Sequence, residues 1–503
     1  MALVGIAKTL EHLRKRNKGI IMNLDLHVCS QARLARDVRF DGRFFIGVRT
    51  TRIYCRPICP VRSVKEENVR YFQSAAAAAE AGYRACLRCR PESAPGTPAW
   101  SGTLATVTRA LRLISEGALE DASVEKLAAR LGIGGRQLRR LFARHLGASP
   151  TAIMKTRRLG FAKKLIDETN LPFNGIAIAA GFGSVRRFNS EFRKTYKRTP
   201  TQLRKLAPAG SLLSSNQYRF DLRFRPPFQW DALLDYLAKN AIPGVEMIQS
   251  NSYQRTIAID DCAGSISVSL KPGHPALQVD VSFTEPRLLF QIIGRLRRMF
   301  DLDVDGREVE SHLSVDPLLA RRIQGMAGLR VPGSWDGFEL AVQTIINQHV
   351  SITETRVLMA RLVRAFGKRI SDTFPLTHLF PRPESLGDAD LTQLGFTANC
   401  AGTIRSLTHK VLANQISFSG SQDPNEFRIR LREVTGLDAW SSEYIAMRAL
   451  SDPDAFPAND RGPLVRRAQG WRPWRAYAAM YLWQGNSLQT NRLPRRHIDA
   501  LSA

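Results

Sequence analysis

Two short cysteine pairs set the chemistry open to this chain. Cys55-Arg56-Pro57-Ile58-Cys59 and Cys86-Leu87-Arg88-Cys89 each carry two sulfurs on one turn, and the gap between them lets the chain fold back so that four sulfurs can meet. A tetrahedral thiolate site for zinc requires that spacing. A plain zinc knuckle, which only holds a small domain together, has the same spacing. Arg49, Arg52, Arg56, Arg62, Arg84, Arg88 and Arg90 crowd the four sulfurs, which predicts a site that faces an anion and stabilises its thiolates.

The elements that must position these residues are legible as a string of units. At 503 residues there is room for about three or four domains, each with its own core. Leu34 to Asp37 and Asp41 to Thr51 alternate apolar and polar residues toward Cys55, as a half-buried strand does, and Ala75 to Ala79 predicts a short helix. Pro91 to Pro98 has the composition of a linker. Ser123 to Gly132 then predicts a capped amphipathic helix, and Arg136 to His145 begins a second one rich in arginine. The helix-turn-helix arrangement recurs at Ile176 to Phe182 followed by Ser184 to Arg193. After a second linker at Ala207 to Ser211, Tyr218 to Phe224 alternates strictly. Ile266, Val268 and Leu270, and then Leu277, Val279, Val281 and Phe283, repeat the period of two, while Pro286 to Leu302 carries a helical pattern. These residues predict a small mixed α/β domain with an antiparallel sheet and a structural role. From Trp335 onward Phe338, Ala341, Val342, Ile345 and Ile346 share one helix face.

Charge narrows the class of partner. Lys plus Arg total 73 against 45 Asp plus Glu, a formal net charge of +28, which favours a polyanion such as nucleic acid. No apolar run is long enough to span a membrane, and Met1 to Ile21 lacks a signal peptide's cleavage site. Four of the seven cysteines fall in the zinc pattern, which suits a reducing compartment, and Cys29, Cys262 and Cys400 read as small apolar residues. The expectation is an intracellular protein without a membrane role. Met22 is a possible alternative start.

Three stretches resemble known families. Phe40 to Phe45, Tyr54 to Pro60, Asn68 to Phe72 and Cys86 to Pro91 resemble the amino-terminal zinc domain of the Ada alkylation-response protein over roughly residues 30 to 92. The resemblance implies one Zn2+ held by Cys55, Cys59, Cys86 and Cys89, with Cys55 taking a methyl group from a methylphosphotriester in DNA. Gly181-Phe182, Phe188, Phe192 and Thr199-Pro200 resemble the AraC-type DNA-binding domain, over roughly 104 to 205. That implies two helices entering successive major grooves, one through Arg136, Gln137, Arg139 and Arg140, the other through Ser184, Arg186, Arg187 and Asn189.

Val434 to Arg448 and Asp452 to Asp460, with Gly333 to Trp335 and Trp471 to Tyr477, resemble the helix-hairpin-helix and catalytic loop of the AlkA-type DNA glycosylases, over roughly 218 to 485. By that resemblance Asp460 is the essential carboxylate, Trp440, Tyr444 and Trp483 line a pocket for an alkylated base, His349 is the wedge that fills the gap left by the flipped base, and Gly436 grips a DNA phosphate. The chain departs from the family pattern beside this site. Thr435 replaces the hairpin proline and Asp438 its second glycine, which sets an aspartate against a phosphate. Arg461-Gly462-Pro463 replaces the usual helix start, and Trp471 arrives about ten residues early. No Pro-Cys-His-Arg segment for an alkylguanine transferase site is present.

The fold expected is multidomain α+β: a small four-cysteine zinc domain, an all-α double helix-turn-helix domain, a mixed α/β domain with an antiparallel sheet, and an all-α helix-hairpin-helix glycosylase domain. The divisions fall at 1–21 (extension), 22–92 (zinc), 93–103 (linker), 104–206 (AraC-type), 207–217 (linker), 218–302 (mixed), 303–490 (glycosylase) and 491–503 (tail). The function implied is a response to DNA alkylation. The zinc thiolate takes a methyl group and switches on transcription, while the carboxy-terminal half excises bases such as 3-methyladenine; a regulator with a weakened or inactive glycosylase is the alternative. The partners implied are double-stranded DNA, both alkylated and promoter, and RNA polymerase, in the cytoplasm at the nucleoid.

Overall fold

The computed structural model describes residues 25–61, 64–95, 103–117, 123–206, 216–370, 376–420, 422–458 and 463–484. Asp460, Arg62 and the Met1 to Met22 segment lie outside the described residues. Among the described residues, no helix is long and apolar enough to cross a membrane.

Strands β1 (Phe45–Val48), β2 (Ile53–Cys55), β3 (Val69–Phe72) and β4 (Arg84–Ala85) form one sheet in the order β3-β1-β2-β4. β1 pairs antiparallel with both neighbours, and β2 pairs parallel with β4, which brings the two cysteine segments side by side. All four residues of β1 are buried. On one face Cys29 and Ala32 of the helix Leu26–Leu34 cover Phe44 and Ile46, and on the other Phe45 joins a core shared with the next domain. The strand expected from Leu34 is corrected here. Leu34 ends that helix, whose Asp25 caps its start by accepting from the His27 N–H at 2.6 Å.

The next unit is helical. Val124–Arg130 and Gly135–Leu146 make the first helix-turn-helix, Phe173–Ala179 and Val185–Tyr196 the second, and Pro150–Glu168 joins them. Ser123, Ser149, Ser184 and Thr199 each cap a helix by accepting from a backbone N–H three residues on. Leu138, Leu141 and Phe142 of one recognition helix are buried, as are Phe188, Phe192 and Tyr196 of the other. The opposite, basic faces are left to solvent.

Strands β5 (Gln217–Arg223), β6 (Glu246–Gln249), β7 (Ser252–Ile259), β8 (Cys262–Leu270) and β9 (Ala276–Phe283) form an antiparallel sheet in the order β5-β9-β8-β7-β6. Phe220 faces Val279, Val279 faces Val268 and Val268 faces Tyr253, a fully buried row beneath the helices Trp230–Asn240 and Leu289–Met299. The period-two pattern therefore fixes which face is inward. Beyond it, the helices Gly337–His349, Ile352–Phe366, Ala398–Leu412, Pro424–Arg432, Ala439–Ala449 and Arg475–Gln484 enclose a second core. The helix expected from Trp335 starts at Gly337, because Asp336 caps it, accepting from the N–H groups of Phe338 and Glu339.

These units share interfaces. One apolar core runs from Phe45 and Tyr54 through Leu138 and Phe188 to Phe220 and Ile292. Arg90 pairs with Asp167 at 3.0 Å and Glu168 at 2.9 Å. Lys163 pairs with Glu92 at 2.9 Å, and Arg43 with Asp305 at 3.1 Å and Glu308 at 2.9 Å. Arg225, fully buried, donates to the Asp41 carbonyl at 2.9 Å.

Candidate functional site

The four cysteine sulfurs lie within 4.8 Å of one another, at the ends of β2 and β4. This is a soft, all-thiolate donor set of four, and it fits zinc. Hydrogen bonds with Cys59 and Cys86 push the Cys55 thiol up, and the bond with Cys55 pulls Cys86 down. Four like charges this close cannot coexist without a cation between them. Cys55 is 8 % exposed, and Cys59 is the more open of that pair. The backbone N–H of Arg56 donates to Cys89 Sγ at 3.4 Å, and its guanidinium donates to the Cys89 carbonyl at 3.0 Å.

The arginine crowd read from the sequence is divided by the fold. Arg56 is buried and ion-paired with Asp41, and Arg90 is taken up by Asp167 and Glu168. Arg56 is fixed inside the zinc unit, where a buried guanidinium without its carboxylate would cost about 3–5 kcal/mol, and Arg90 ties that unit to the next, so neither is left for an anion from outside. Arg88 remains exposed between Cys86 and Cys89, whereas Arg49 and Arg52 are exposed in the turn between β1 and β2, at the end of β2 opposite Cys55. Cys29 and Cys400 are buried among apolar neighbours, and burial pushes both thiols up to about 12.

On the recognition helices, Arg136, Gln137, Arg139 and Arg140 are exposed together, as are Ser184, Arg186, Arg187 and Asn189. Two already have partners. Arg139 is paired with Glu125 of the preceding helix, and the Ser184 hydroxyl accepts from the Arg187 N–H at 3.1 Å as a cap.

In the carboxy-terminal half, Gly436 has φ +84°, and a Cβ there would meet Thr403 Oγ1 at 2.3 Å, so only glycine fits the hairpin. The aspartate expected to confront a phosphate has a structural partner as well. Asp438 caps the helix Ala439–Ala449, accepting from the Ser441 N–H at 2.7 Å, so part of its charge is spent on the helix amino terminus. His349 is exposed at the end of its helix beside this hairpin. Its neighbour Gln348 joins the two, donating to the Gly436 carbonyl at 2.7 Å and accepting from Ser441 Oγ at 3.2 Å.

Trp440, Tyr444 and Trp483 come together. Trp440 stacks on Tyr444 at 5.0 Å between centroids, with 15° between planes, and Trp483 lies 6.1 Å from the first ring and 6.2 Å from the second. The mixed domain, expected to be structural, adds a fourth ring: the Tyr236 hydroxyl of helix Trp230–Asn240 is hydrogen-bonded to that of Tyr444. Beneath them Arg448 is buried, donating to Tyr444 Oη at 3.0 Å and to the carbonyls of Pro332 at 2.9 Å and Gly333 at 3.1 Å. Neither Tyr236 nor Arg448 carries a sequence signal, since each falls on an ordinary helical face.

The loop that leads to Asp460 is pinned on both sides. Arg428 donates to Asp452 and to Glu443, Glu443 accepts from the Phe456 N–H at 3.2 Å, and Arg472 and Arg475 each hold Asp454 at 2.8 Å.

Paired recognition helices, a four-thiolate centre and a helix-hairpin-helix beside stacked aromatics define a DNA-binding protein with a repair site. The metal binding domain of Ada matches residues 28–92, a helix-turn-helix domain 127–206, and the AlkA N-terminal domain 219–336. A "probable bifunctional transcriptional activator/DNA repair enzyme AlkA" of Mycobacterium tuberculosis is 37% identical over 492 residues, 94% of this chain and 99% of that protein. The chain belongs to this family of Ada/AlkA activator and repair proteins. The DNA-3-methyladenine glycosylase 2 of Escherichia coli is 28% identical over 278 residues, 52% of this chain and 96% of its own. The bifunctional transcriptional activator/DNA repair enzyme Ada of the same organism is 39% identical over 122 residues, 24% of this chain and 33% of its own.

Proposed function

We infer that this protein answers DNA methylation twice, as a methyl-accepting transcription activator and as a DNA-3-methyladenine glycosylase that hydrolyses the N-glycosidic bond. The observation that carries the reading is the four-sulfur cluster within 4.8 Å, with exposed Arg88 between Cys86 and Cys89, in a chain whose other half stacks Trp440 on Tyr444. A bound zinc keeps these sulfurs ionised at neutral pH. The Cys55 thiolate attacks the methyl carbon of a methylphosphotriester; the S–C bond forms, the C–O bond breaks, and the phosphodiester leaves with its electron pair. Methylation takes the occupied cluster from a formal charge of about −2 to about −1, which weakens its repulsion of DNA phosphates and tightens promoter binding. The exposed faces around Arg136 and Arg186 then read adjacent major grooves, and the promoter-bound form recruits RNA polymerase at the nucleoid.

In the repair half, an extruded base enters among Trp440, Tyr444 and Trp483, whose faces attract the positive charge that alkylation leaves on it. The Asp460 carboxylate stabilises the sugar cation as the C1′–N bond breaks and the base departs with the electron pair; water then adds at C1′ and loses a proton. His349 fills the vacated stack. A tryptophan, not a lysine, stands at 440, so no Schiff base forms and the strand is not cut.

Incubating the pure protein with methylated DNA, and measuring released bases alongside the site of protein-bound methyl, tests both halves. Methyl on Cys59 in place of Cys55 would overturn the assignment of the acceptor, and equal 3-methyladenine release by wild type and Asp460→Asn would overturn the glycosylase reading.

A further inference from the structure

The hydroxyls of Tyr236 and Tyr444 share two protons, and the network around them has a place for one. Arg448 can only donate, and its Nη1 gives a hydrogen bond to Tyr444 Oη at 3.0 Å. The bond between the two hydroxyls uses one of their own protons. The second proton has no acceptor among the described residues. A buried donor left without an acceptor is costly, so such a group is commonly held for something that arrives. Arg448 also fixes the arrangement: it is 5 % exposed, anchored to two backbone carbonyls, and its guanidinium sits 5.1 Å from the Tyr236 ring and 5.6 Å from the Tyr444 ring. A permanent cation against both rings makes their hydroxyls better donors and poorer acceptors.

We propose that Tyr236 and Tyr444 form a hydroxyl relay, set by Arg448, that offers one proton to the extruded base and so selects alkylated bases presenting a ring nitrogen or carbonyl lone pair at that point. This rests on the reading of Trp440, Tyr444 and Trp483 as the base pocket. Tyr236 is then a specificity-determining residue contributed by the mixed domain, and Arg448 a positioning residue that acts through the tyrosines. Stacking on Trp440 accepts any flat cationic base, whereas the relay discriminates by where the lone pair lies.

The test uses the full-length protein and three free bases as competitive inhibitors of 3-methyladenine release from methylated DNA: 3-methyladenine, its 1-deaza analogue and its 7-deaza analogue, the last two each lacking one ring lone pair. Wild type should bind 3-methyladenine about 2- to 10-fold more tightly than one of the analogues, the effect of one neutral hydrogen bond. Tyr236→Phe, which keeps the ring, should bind all three alike with an unchanged unfolding midpoint. Tyr444→Phe should lose the same discrimination. Arg448→Lys, still a donor, should restore part of the ratio that Arg448→Met loses. The same ratio in Tyr236→Phe as in wild type overturns the relay while leaving the pocket intact. Inhibition by all three bases that is unchanged in Trp440→Ala overturns the pocket reading, and the relay with it.

Discussion

Asp438→Asn separates the two parts that an aspartate plays at the tip of the hairpin. Asparagine keeps an acceptor for the Ser441 N–H, now 2.7 Å from the carboxylate, and it is as good a helix cap as aspartate. The substitution therefore removes one negative charge and little else. If the Gly436 turn grips a DNA phosphate, a charge about 7 Å away in water is repelled by about 0.6 kcal/mol, so Asp438→Asn should bind DNA about threefold more tightly at low salt. The gain should shrink as salt rises, because an exposed repulsion is screened. Asp438→Ala loses the charge and the cap together; it should show the same gain in binding with a loss of about 1 kcal/mol in stability. Fluorescence anisotropy with a short duplex across a salt series, paired with chemical unfolding of each variant, measures both quantities. An Asp438→Asn protein that bound DNA no better at any salt concentration would mean that the hairpin does not face the backbone.

Other consequences are as direct. Cys86→Ala or Cys89→Ala should release the zinc and unfold the amino-terminal unit, because structural zinc supplies about 10 kcal/mol or more to such a fold; metal analysis of the purified variants decides it. Asp460→Asn should abolish base release, with DNA affinity kept or slightly raised, as read by gel shift beside the excision assay. Acid stability should depend on Asp316, whose pKa is lowered to about 2 by its hydrogen bond from Arg467, with a further bond from Trp471 Nε1 at 2.7 Å. A depressed carboxylate stabilises the fold above its unfolded value near 3.9 and loses that stabilisation as pH falls through about 2. Asp316→Asn should therefore be less stable than wild type at pH 5, and the difference should close by about pH 2 in acid-unfolding curves.

Much of the architecture was legible because periodicity reports burial. Val268, Val279 and Val281 alternate in the sequence and face one core, and Ser123 caps the helix whose start it was read to mark. The failures share a cause: the buried side of a short element is set by what packs on it from far away in sequence. β1 is covered on both faces, so its alternation carries no information on an exposed side. The arginines near the sulfurs could be counted but not sorted, since Asp41, Asp167 and Glu168 are neighbours only in three dimensions. Asp438 read as a lost glycine, and its capping of Ser441 became visible only once the helix start was placed. Tyr236 was invisible for the same reason, lying 208 residues from Tyr444.

The family resemblances describe the chain as units in series, and the ion pairs between them qualify that picture. Arg112, on the helix Thr103–Ser115 that precedes the first helix-turn-helix, donates to the carbonyls of Ala449 and Leu450 at 3.3 Å each and to that of Phe418 at 2.7 Å. Ala449 ends the helix that carries Trp440, Tyr444 and Arg448, so a cation from the DNA-reading half sits at the negative end of the helix that bears the proposed base pocket. Glu116, one turn further along the chain from Arg112, also accepts from Arg298 of the mixed domain at 2.9 Å. These contacts give the two halves a common, defined interface. The short helix Pro463–Arg467 is held in the same way, by Asp316 at 2.7 Å from Arg467 Nε. Phe456, before the region where the sequence is about ten residues shorter than its family pattern, and Arg467, within it, are thus each held by a carboxylate, Glu443 and Asp316.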